Sequence, residues 1–477
     1  MEIYNQLWIG GQWVSPASTR TIDVISPVTE QVIARVPEAG KEDIERAVQA
    51  ARHAMDQGPW PRLSARERGQ KVRALSEAIA TRMQDFADII TREMGAPASF
   101  SLMGQVGAAI MVLDGFAEIA DRIELEEARP GLLGLTLVRR LPVGVAAGII
   151  PWNVPLFISM MKLGAAMVAG APMILKPAPE TPLDAILLAE VLEAIELPLG
   201  VVSILPAGRE SGELLVRHGG VDKVSFTGST AAGRRIGAIC GELLKRCTLE
   251  LGGKSAAILL EDVDLSAALP LLMPNAIMNN GQACLSQTRL LAPRKRYAEI
   301  VNALAEQVGG LKVGDPSDAA TMVGPLVAER QRERVLGYIG IGRDEGARVV
   351  VGGGRPAGLP RGWFVEPTLF ADVDNKMRIA REEVFGPVLV VIPYDNEADA
   401  VRIANDSDYG LSGSVWTADR EHGLDVARRV RTGTLGVNAL ATMDLKQPFG
   451  GFKASGIGRE CGPEGVEAFL EVQTIVG

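Results

Sequence analysis

The chain has 477 residues, 47% hydrophobic and 22% charged, a globular composition too long for one ordinary core, so two or three domains are expected. Its formal net charge of -9 supplies no basic field for nucleic acid or an anionic membrane. Four cysteines (Cys240, Cys247, Cys284, Cys461) without CxxC spacing and three scattered histidines (His53, His218, His422) argue against a disulfide framework, a metal centre and a histidine triad.

The N-terminus, Met1-Glu2-Ile3-Tyr4-Asn5-Gln6, lacks a basic stretch followed by an apolar core, so no secretory signal is read and a cytoplasmic location is expected. The apolar runs at 143–150 and 163–175 are broken by Gly, Pro and Lys and fall short of the roughly 20 residues a membrane helix needs. A hairpin is expected around Leu7, Ile9, Trp13 and Val14, turning at Gly10-Gly11. Ile44, Val48 and Ala51 share one face of a helix that begins at Lys41. Ser64-Ala65-Arg66-Glu67 is a capping box opening one long helix. Its stripe of Leu75, Ile79, Met83, Phe86, Ile90 and Met94 runs to a stop at Gly95.

Residues 135–145 become strand-like, with Arg139-Arg140 and Pro142 on an edge that must be paired or covered, as in an oligomer arm. Short apolar strands then alternate with amphipathic helices, at Val145–Ile150, Met173–Leu175, Val201–Leu205, Lys223–Phe226 and Thr248–Leu251. A second series follows, at Ala256–Leu260, Arg289–Leu291, Val388–Ile392 and Leu435–Val437. This is the rhythm of an α/β protein with parallel sheets, which bind ligands at the carboxyl ends of their strands. The last strand, Phe469–Val476, is expected to pair with a partner's sheet.

Several stretches carry chemistry. Asn279-Asn280-Gly281-Gln282-Ala283-Cys284-Leu285-Ser286 presents one cysteine after a polar turn, which alone reads as well as a small buried hydrophobe. Pro151-Trp152-Asn153-Val154-Pro155 fixes a side-chain amide between two prolines, a candidate oxyanion donor or a rigid turn. Leu175-Lys176-Pro177 ends a strand on a lysine within reach of a ribose or phosphate, or of solvent. Phe226-Thr227-Gly228-Ser229 passes from strand to helix, where backbone amides face an anion. Glu250-Leu251-Gly252-Gly253-Lys254 sets a carboxylate at the end of an apolar strand, where burial raises its pKa towards general-base work. Glu382-Glu383-Val384-Phe385-Gly386-Pro387 joins a carboxylate to an aromatic, suited to a ribose and a flat ring.

Taken together and in this order, with Pro448-Phe449-Gly450-Gly451-Phe452-Lys453 near the end, these motifs make the whole chain resemble the aldehyde dehydrogenase superfamily. The resemblance implies a Rossmann-like nucleotide-binding domain (residues 1–120 and 143–251), an α/β catalytic domain (252–452) and a small β oligomerisation element (121–142 and 466–477). It implies Cys284 as nucleophile, Asn153 in the oxyanion hole, Glu250 activating water, and Lys162 with Glu460 assisting proton release. The cofactor contacts implied are Ile149, Pro151, Trp152, Lys176, Glu180, Phe226, Gly228, Ser229, Leu251, Glu383 and Phe385. Three residues after the lysine, where the family often has a ribose-binding glutamate, stands Pro179, with Glu180 one step later; NAD is expected, with NADP as the alternative.

The positions matching the substrate tunnel, Val154, Phe157, Ile158, Met161, Leu285, Met443 and Phe449, are all apolar. They imply a long-chain, branched, terpenoid or aromatic aldehyde rather than a semialdehyde bearing a carboxylate. A homodimer or homotetramer is expected. The rival readings are a CoA-acylating or semialdehyde dehydrogenase of the same superfamily and a noncatalytic relative.

Overall fold

A computed structural model of the chain describes residues 1–132, 134–439 and 446–476. Its largest sheet has eight strands, in the spatial order Gly456–Ile457, Arg246–Glu250, Lys223–Thr227, Ala146–Ile149, Met173–Lys176, Val202–Ile204, Leu7–Ile9 and Gln12–Val14. The five strands from Arg246–Glu250 to Val202–Ile204 are parallel. Antiparallel strands close both edges, among them the expected hairpin at Gly10-Gly11. The register pairs Ile149 with Phe226 and Lys176, and Thr227 with Glu250. The ends of four neighbouring strands thus converge at one rim of the sheet.

A second sheet of seven strands runs Arg348–Val351, Thr368–Ala371, Val388–Tyr394, Arg289–Pro293, Ala256–Leu259, Gly413–Trp416 and Gly436–Val437, all parallel except the first. Sequence reading misses Arg348–Val351, Thr368–Ala371 and Gly413–Trp416. Thr368–Ala371 and Gly413–Trp416 are four-residue strands buried on both faces, which leaves no alternation to detect.

One further expectation is corrected. The single long helix after Ser64 is two, Ala65–Thr81 and Met83–Met94, broken at Arg82 (φ -114°, ψ 22°). There the guanidinium binds Asp85 and Glu190, and the apolar stripe changes direction to meet helix Leu183–Ala194. Strand Leu470–Val476 pairs antiparallel with Thr136–Pro142 of its own chain, beside Glu126–Gly131, and forms an edge of that sheet. As their charged, polar setting in the sequence suggests, His218 and His422 each contact a carboxylate near the surface, Glu45 and Glu397.

The helical stretch Ala98–Ala120 is long and apolar enough to cross a membrane. Here Val106, Val112, Leu113 and Phe116 are buried with Leu75 and Met160 in one core cluster, packed against helices Ala65–Thr81 and Pro155–Ala169. Its segment Ser101–Gly107 is π-helical, an irregularity that tends to mark functional surroundings.

Candidate active site

Cys284 follows a turn in which Asn279 and Asn280 adopt left-handed backbone (φ 54° and 61°), a conformation Asn tolerates better than most residues. The turn is stitched to the Trp152-Asn153 segment. Asn279 Nδ2 donates to the Asn153 carbonyl (2.8 Å) and Asn153 Nδ2 donates to the Gln282 carbonyl (2.9 Å). Gln105, on the π-helical turn, donates to the same Asn153 carbonyl at 3.5 Å. The Asn153 amide is therefore held against the cysteine loop with a second N–H left to donate.

Glu250 ends its strand 3% exposed, and neither carboxylate oxygen has a hydrogen-bond partner among the described residues. Burial raises its pKa well above the ordinary value and the nearby Glu460 raises it further, against Lys162 and Arg459. Three residues on, Gly253 passes so close to the cysteine loop that a Cβ there would lie 2.4 Å from the Cys284 carbonyl oxygen. Only glycine lets the two segments meet. Loss of solvation, then the negative charge of Glu383 and Glu250, push the Cys284 thiol up to about 12.

Behind Glu250 lies a buried polar triad. Lys162 Nζ donates to Glu460 Oε1 (2.5 Å) and Ser225 Oγ (3.0 Å), and Ser225 Oγ donates to the same Glu460 oxygen (2.8 Å). Glu460 is also tied to Phe449 by a pair of backbone hydrogen bonds of 2.6 and 2.7 Å.

The expected cofactor residues gather at the converging strand ends. Lys176, buried, donates to the Ala207 carbonyl (2.7 Å), and desolvation lowers its pKa to about 8 against the raising effect of Glu180 and Glu38. Glu180 is ion-paired with Arg330. Ser229 caps helix Thr230–Glu242, accepting from the Ala232 amide (3.3 Å). The backbone N–H of Gly228 donates to the Glu250 carbonyl (3.0 Å) and that of Leu251 to the Ser455 carbonyl (2.9 Å). Ile149 and Phe226 are buried beside these ends and Pro151 is half-buried.

On the opposite side, Glu383 Oε1 accepts from the Gly253 amide (2.9 Å). A Cβ on Gly252 would fall 2.3 Å from Glu383 Oε2. Phe385 stacks edge-on to Trp152 with centroids 5.3 Å apart. Its φ of 64° is strained backbone for an aromatic residue, of the kind kept at ligand sites. A helix N-terminus, a buried lysine and a carboxylate with one oxygen left for a hydroxyl, set around two aromatic rings, fit a dinucleotide.

Residues 13–475 match the model of the aldehyde dehydrogenase family. The chain is 47% identical over 473 residues to a geranial dehydrogenase of Castellaniella defragrans, covering 99% of this chain and 98% of that one. The chain belongs to the aldehyde dehydrogenase family. Among solved structures, an aldehyde dehydrogenase of Mycobacterium tuberculosis complexed with NAD+ superposes with a TM-score of 0.98 at 50% identity, covering 99% of this chain and 98% of that one. A mutant aldehyde dehydrogenase C of Pseudomonas syringae, in complex with NAD+ and octanal, gives 0.96 at 39% identity, covering 99% and 96%.

In this aldehyde dehydrogenase, Val154, Phe157, Ile158 and Met161 fall at helical spacing where helix Pro155–Ala169 begins, so they share one face. Ile158 and Met161 belong to the main core cluster, and Val154, Phe157, Phe449 and Trp152 pack half-buried against it. Leu285 is half-buried beside Cys284. Met443 lies outside the described residues.

Gln105, Asn279 and Ser225 join the site with no signal of their role in the motifs. Lys223, Ser225 and Thr227 alternate with Val224 and Phe226 along a strand buried throughout. That alternation was a usable signal, since polar residues on a buried face need partners. Gln105 lies in an apolar run and carries no such signal.

Proposed function

We propose that this aldehyde dehydrogenase uses NAD to oxidise an apolar aldehyde to its carboxylic acid, through covalent chemistry at Cys284. The thiolate attacks the carbonyl carbon, and the oxyanion accepts hydrogen bonds from Asn153 Nδ2 and the Cys284 backbone N–H. Bound NAD would supply the acceptor for the hydride of that carbon. Glu250 then takes a proton from water, which attacks the thioester and releases Cys284 as thiolate. Lys162 and Glu460 receive the proton that Glu250 must shed. Lys176, Ser229, Glu180 and Glu383 hold the cofactor.

The observation that carries this reading is Glu250, buried with neither oxygen bonded among the described residues, three residues before the glycine that abuts the Cys284 carbonyl. A thioester passed to CoA has no use for such a group. The apolar substrate is supported by the helix face Val154, Phe157, Ile158 and Met161, and by the likeness to a geranial dehydrogenase and to a structure holding octanal. Steady-state kcat/KM for octanal, geranial, benzaldehyde and succinic semialdehyde, each with NAD and NADP and with and without CoA, tests it. Preference for the semialdehyde, for NADP or for CoA overturns the corresponding part.

On the same reading, residues 1–120 and 143–251 form the nucleotide-binding domain, 252–452 the catalytic domain, and 121–142 with 466–477 an oligomerisation element. Exposed Leu135, Leu137, Val472, Ile475 and Val476 on the arm sheet support a homodimer or homotetramer. Four free thiols suit the cytoplasm.

A further inference from the structure

The cofactor reading above leaves Arg330 without a task. This residue lies in the first turn of helix Glu329–Asp344, and its guanidinium is ion-paired with Oε1 of Glu180. The partners belong to opposite sides of the cofactor site. Glu180 follows strand Met173–Lys176 of the eight-stranded sheet, whereas the helix of Arg330 leads into Arg348–Val351 at one edge of the seven-stranded sheet. The contact joins residues 150 positions apart in the chain.

Residues next to the pair tie it to the aromatic rings of the site. Thr181 Oγ1 donates to the Trp152 carbonyl (3.3 Å) and Gln331 Nε2 donates to the Phe385 carbonyl (2.7 Å). Since the rings of Trp152 and Phe385 meet with centroids 5.3 Å apart, two contacts cross the site side by side, one aromatic and one ionic. On its own side the helix is firmly held. Arg334 donates to the carbonyls of Glu383 (2.6 Å) and Val384 (3.3 Å), and the Val327 amide, just before the helix, donates to Gln282 Oε1 (3.1 Å). The helix start, the loop Glu383–Phe385 and the cysteine turn are thus one hydrogen-bonded unit, and Arg330 is the hand with which that unit grips Glu180.

Resting on the placement of the dinucleotide between these two sides given above, we propose that Arg330 is a positioning residue that clasps the site shut through Glu180, and that the ion pair must part before the reduced cofactor leaves. The exposures suit a contact that opens and closes. The Glu180 side chain is 16% exposed and fixed beside Thr181, while that of Arg330 is 64% exposed, so water can take over the guanidinium when the pair breaks. An ion pair of this exposure adds little to global stability. Its effect falls instead on the rate at which two walls separate, a step that limits turnover in many enzymes with closing loops.

The test follows release of NADH from the full-length enzyme without turnover. NADH is bound to the protein, excess NAD displaces it in a stopped-flow mixer, and the decay of bound-NADH fluorescence gives the dissociation rate. Arg330→Met is expected to release NADH about two- to fivefold faster than the parent, the range that a partly exposed ion pair provides, with Arg330→Lys in between. Salt screens such a pair, so release from the parent should quicken with added sodium chloride more steeply than release from Arg330→Met. In a Glu180→Gln background the Arg330→Met change should add much less than it does alone, because its partner charge is already gone. Should Arg330→Met fail to fold, Arg330→Lys and the salt dependence of the parent decide. Unchanged or slower release from Arg330→Met, equal salt dependence in variant and parent, or an acceleration that adds in full to that of Glu180→Gln would each overturn the clasp while leaving the cofactor site standing. A parent enzyme that binds no NADH would overturn the reading of the site itself, and the clasp with it.

Discussion

Lys162 Nζ and Glu460 Oε1 lie 2.5 Å apart with side-chain exposures of 0% and 5%, although 298 residues separate them in the chain. Ser225 completes the contact from the central sheet. A buried pair of this kind is destabilised more by loss of one member than by loss of both, because a single deletion strands a charge out of water. Lys162→Met is therefore expected to destabilise the enzyme by about 3–5 kcal/mol, and adding Glu460→Gln to recover part of it. Thermal unfolding of the two variants and the parent checks this; a double variant less stable than Lys162→Met contradicts it.

Glu250→Gln removes the carboxylate proposed as the base without changing shape. The variant should still release a stoichiometric burst of reduced cofactor from Cys284, while steady-state turnover falls by about 10²–10⁴-fold. Rapid-mixing absorbance resolves the two phases. Equal loss of both phases would place Glu250 in the first chemical step instead.

With its thiol pushed up to about 12, Cys284 is protonated at neutral pH in the cofactor-free enzyme. Its thiolate fraction, and so its rate of alkylation by iodoacetamide, should rise about tenfold per pH unit through the neutral and mildly alkaline range. Glu250, also raised, gains its basic form in the same direction, so kcat should rise with pH as well. A Cys284 alkylation rate that levels off below about pH 8 would mean that the protein already stabilises the thiolate.

Gly253→Ala should leave the fold standing and damage catalysis. A methyl group 2.4 Å from the Cys284 carbonyl oxygen forces the nucleophile loop to shift, and a displacement of about 1 Å costs on the order of 10²-fold in rate. Circular dichroism with kcat/KM separates the two effects. An unimpaired kcat/KM would show that the loop yields freely.

Away from the active site, Glu93 accepts the amides of Leu183 (2.9 Å) and Asp184 (3.2 Å) at the start of helix Leu183–Ala194. Burial pushes Asp184 up to about 8, and burial with Asp184 raises Glu93. Folded-state pKa values above the ordinary carboxyl range give stability that is present at low pH and lost as pH climbs from about 4 to 8. Asp184→Asn should therefore raise Tm at about pH 9, by on the order of 1–3 kcal/mol of stability, and change it little at about pH 5. Melting curves at the two pH values decide, and an equal shift at both would exclude titration as the cause.

Much of this enzyme is legible in one dimension. Strand and turn signals mark the parallel strands whose ends carry Ile149, Lys176 and Glu250, because buried parallel strands are short apolar runs between glycines and prolines. The capping box at Ser64, where the Glu67 amide meets Ser64 Oγ at 3.2 Å, and the stop at Gly95, with φ 82°, are equally local. Cys284, Asn153 and Glu250 are recognisable from motifs whose residue types follow from the chemistry.

Tertiary structure alone decides the rest. Arg82 breaks a stripe that reads as continuous, since its partner Glu190 sits 108 residues away. Strand Leu470–Val476 turns to its own arm, a choice between edges of equal hydrogen-bonding capacity. Gln105 reaches Asn153 only through a π-helical turn. Sequence fixes which groups are able to react or to bury themselves, through side-chain chemistry and local periodicity. Which of them meet depends on packing between distant segments, where burial turns an ordinary glutamate or thiol into one with a shifted proton affinity.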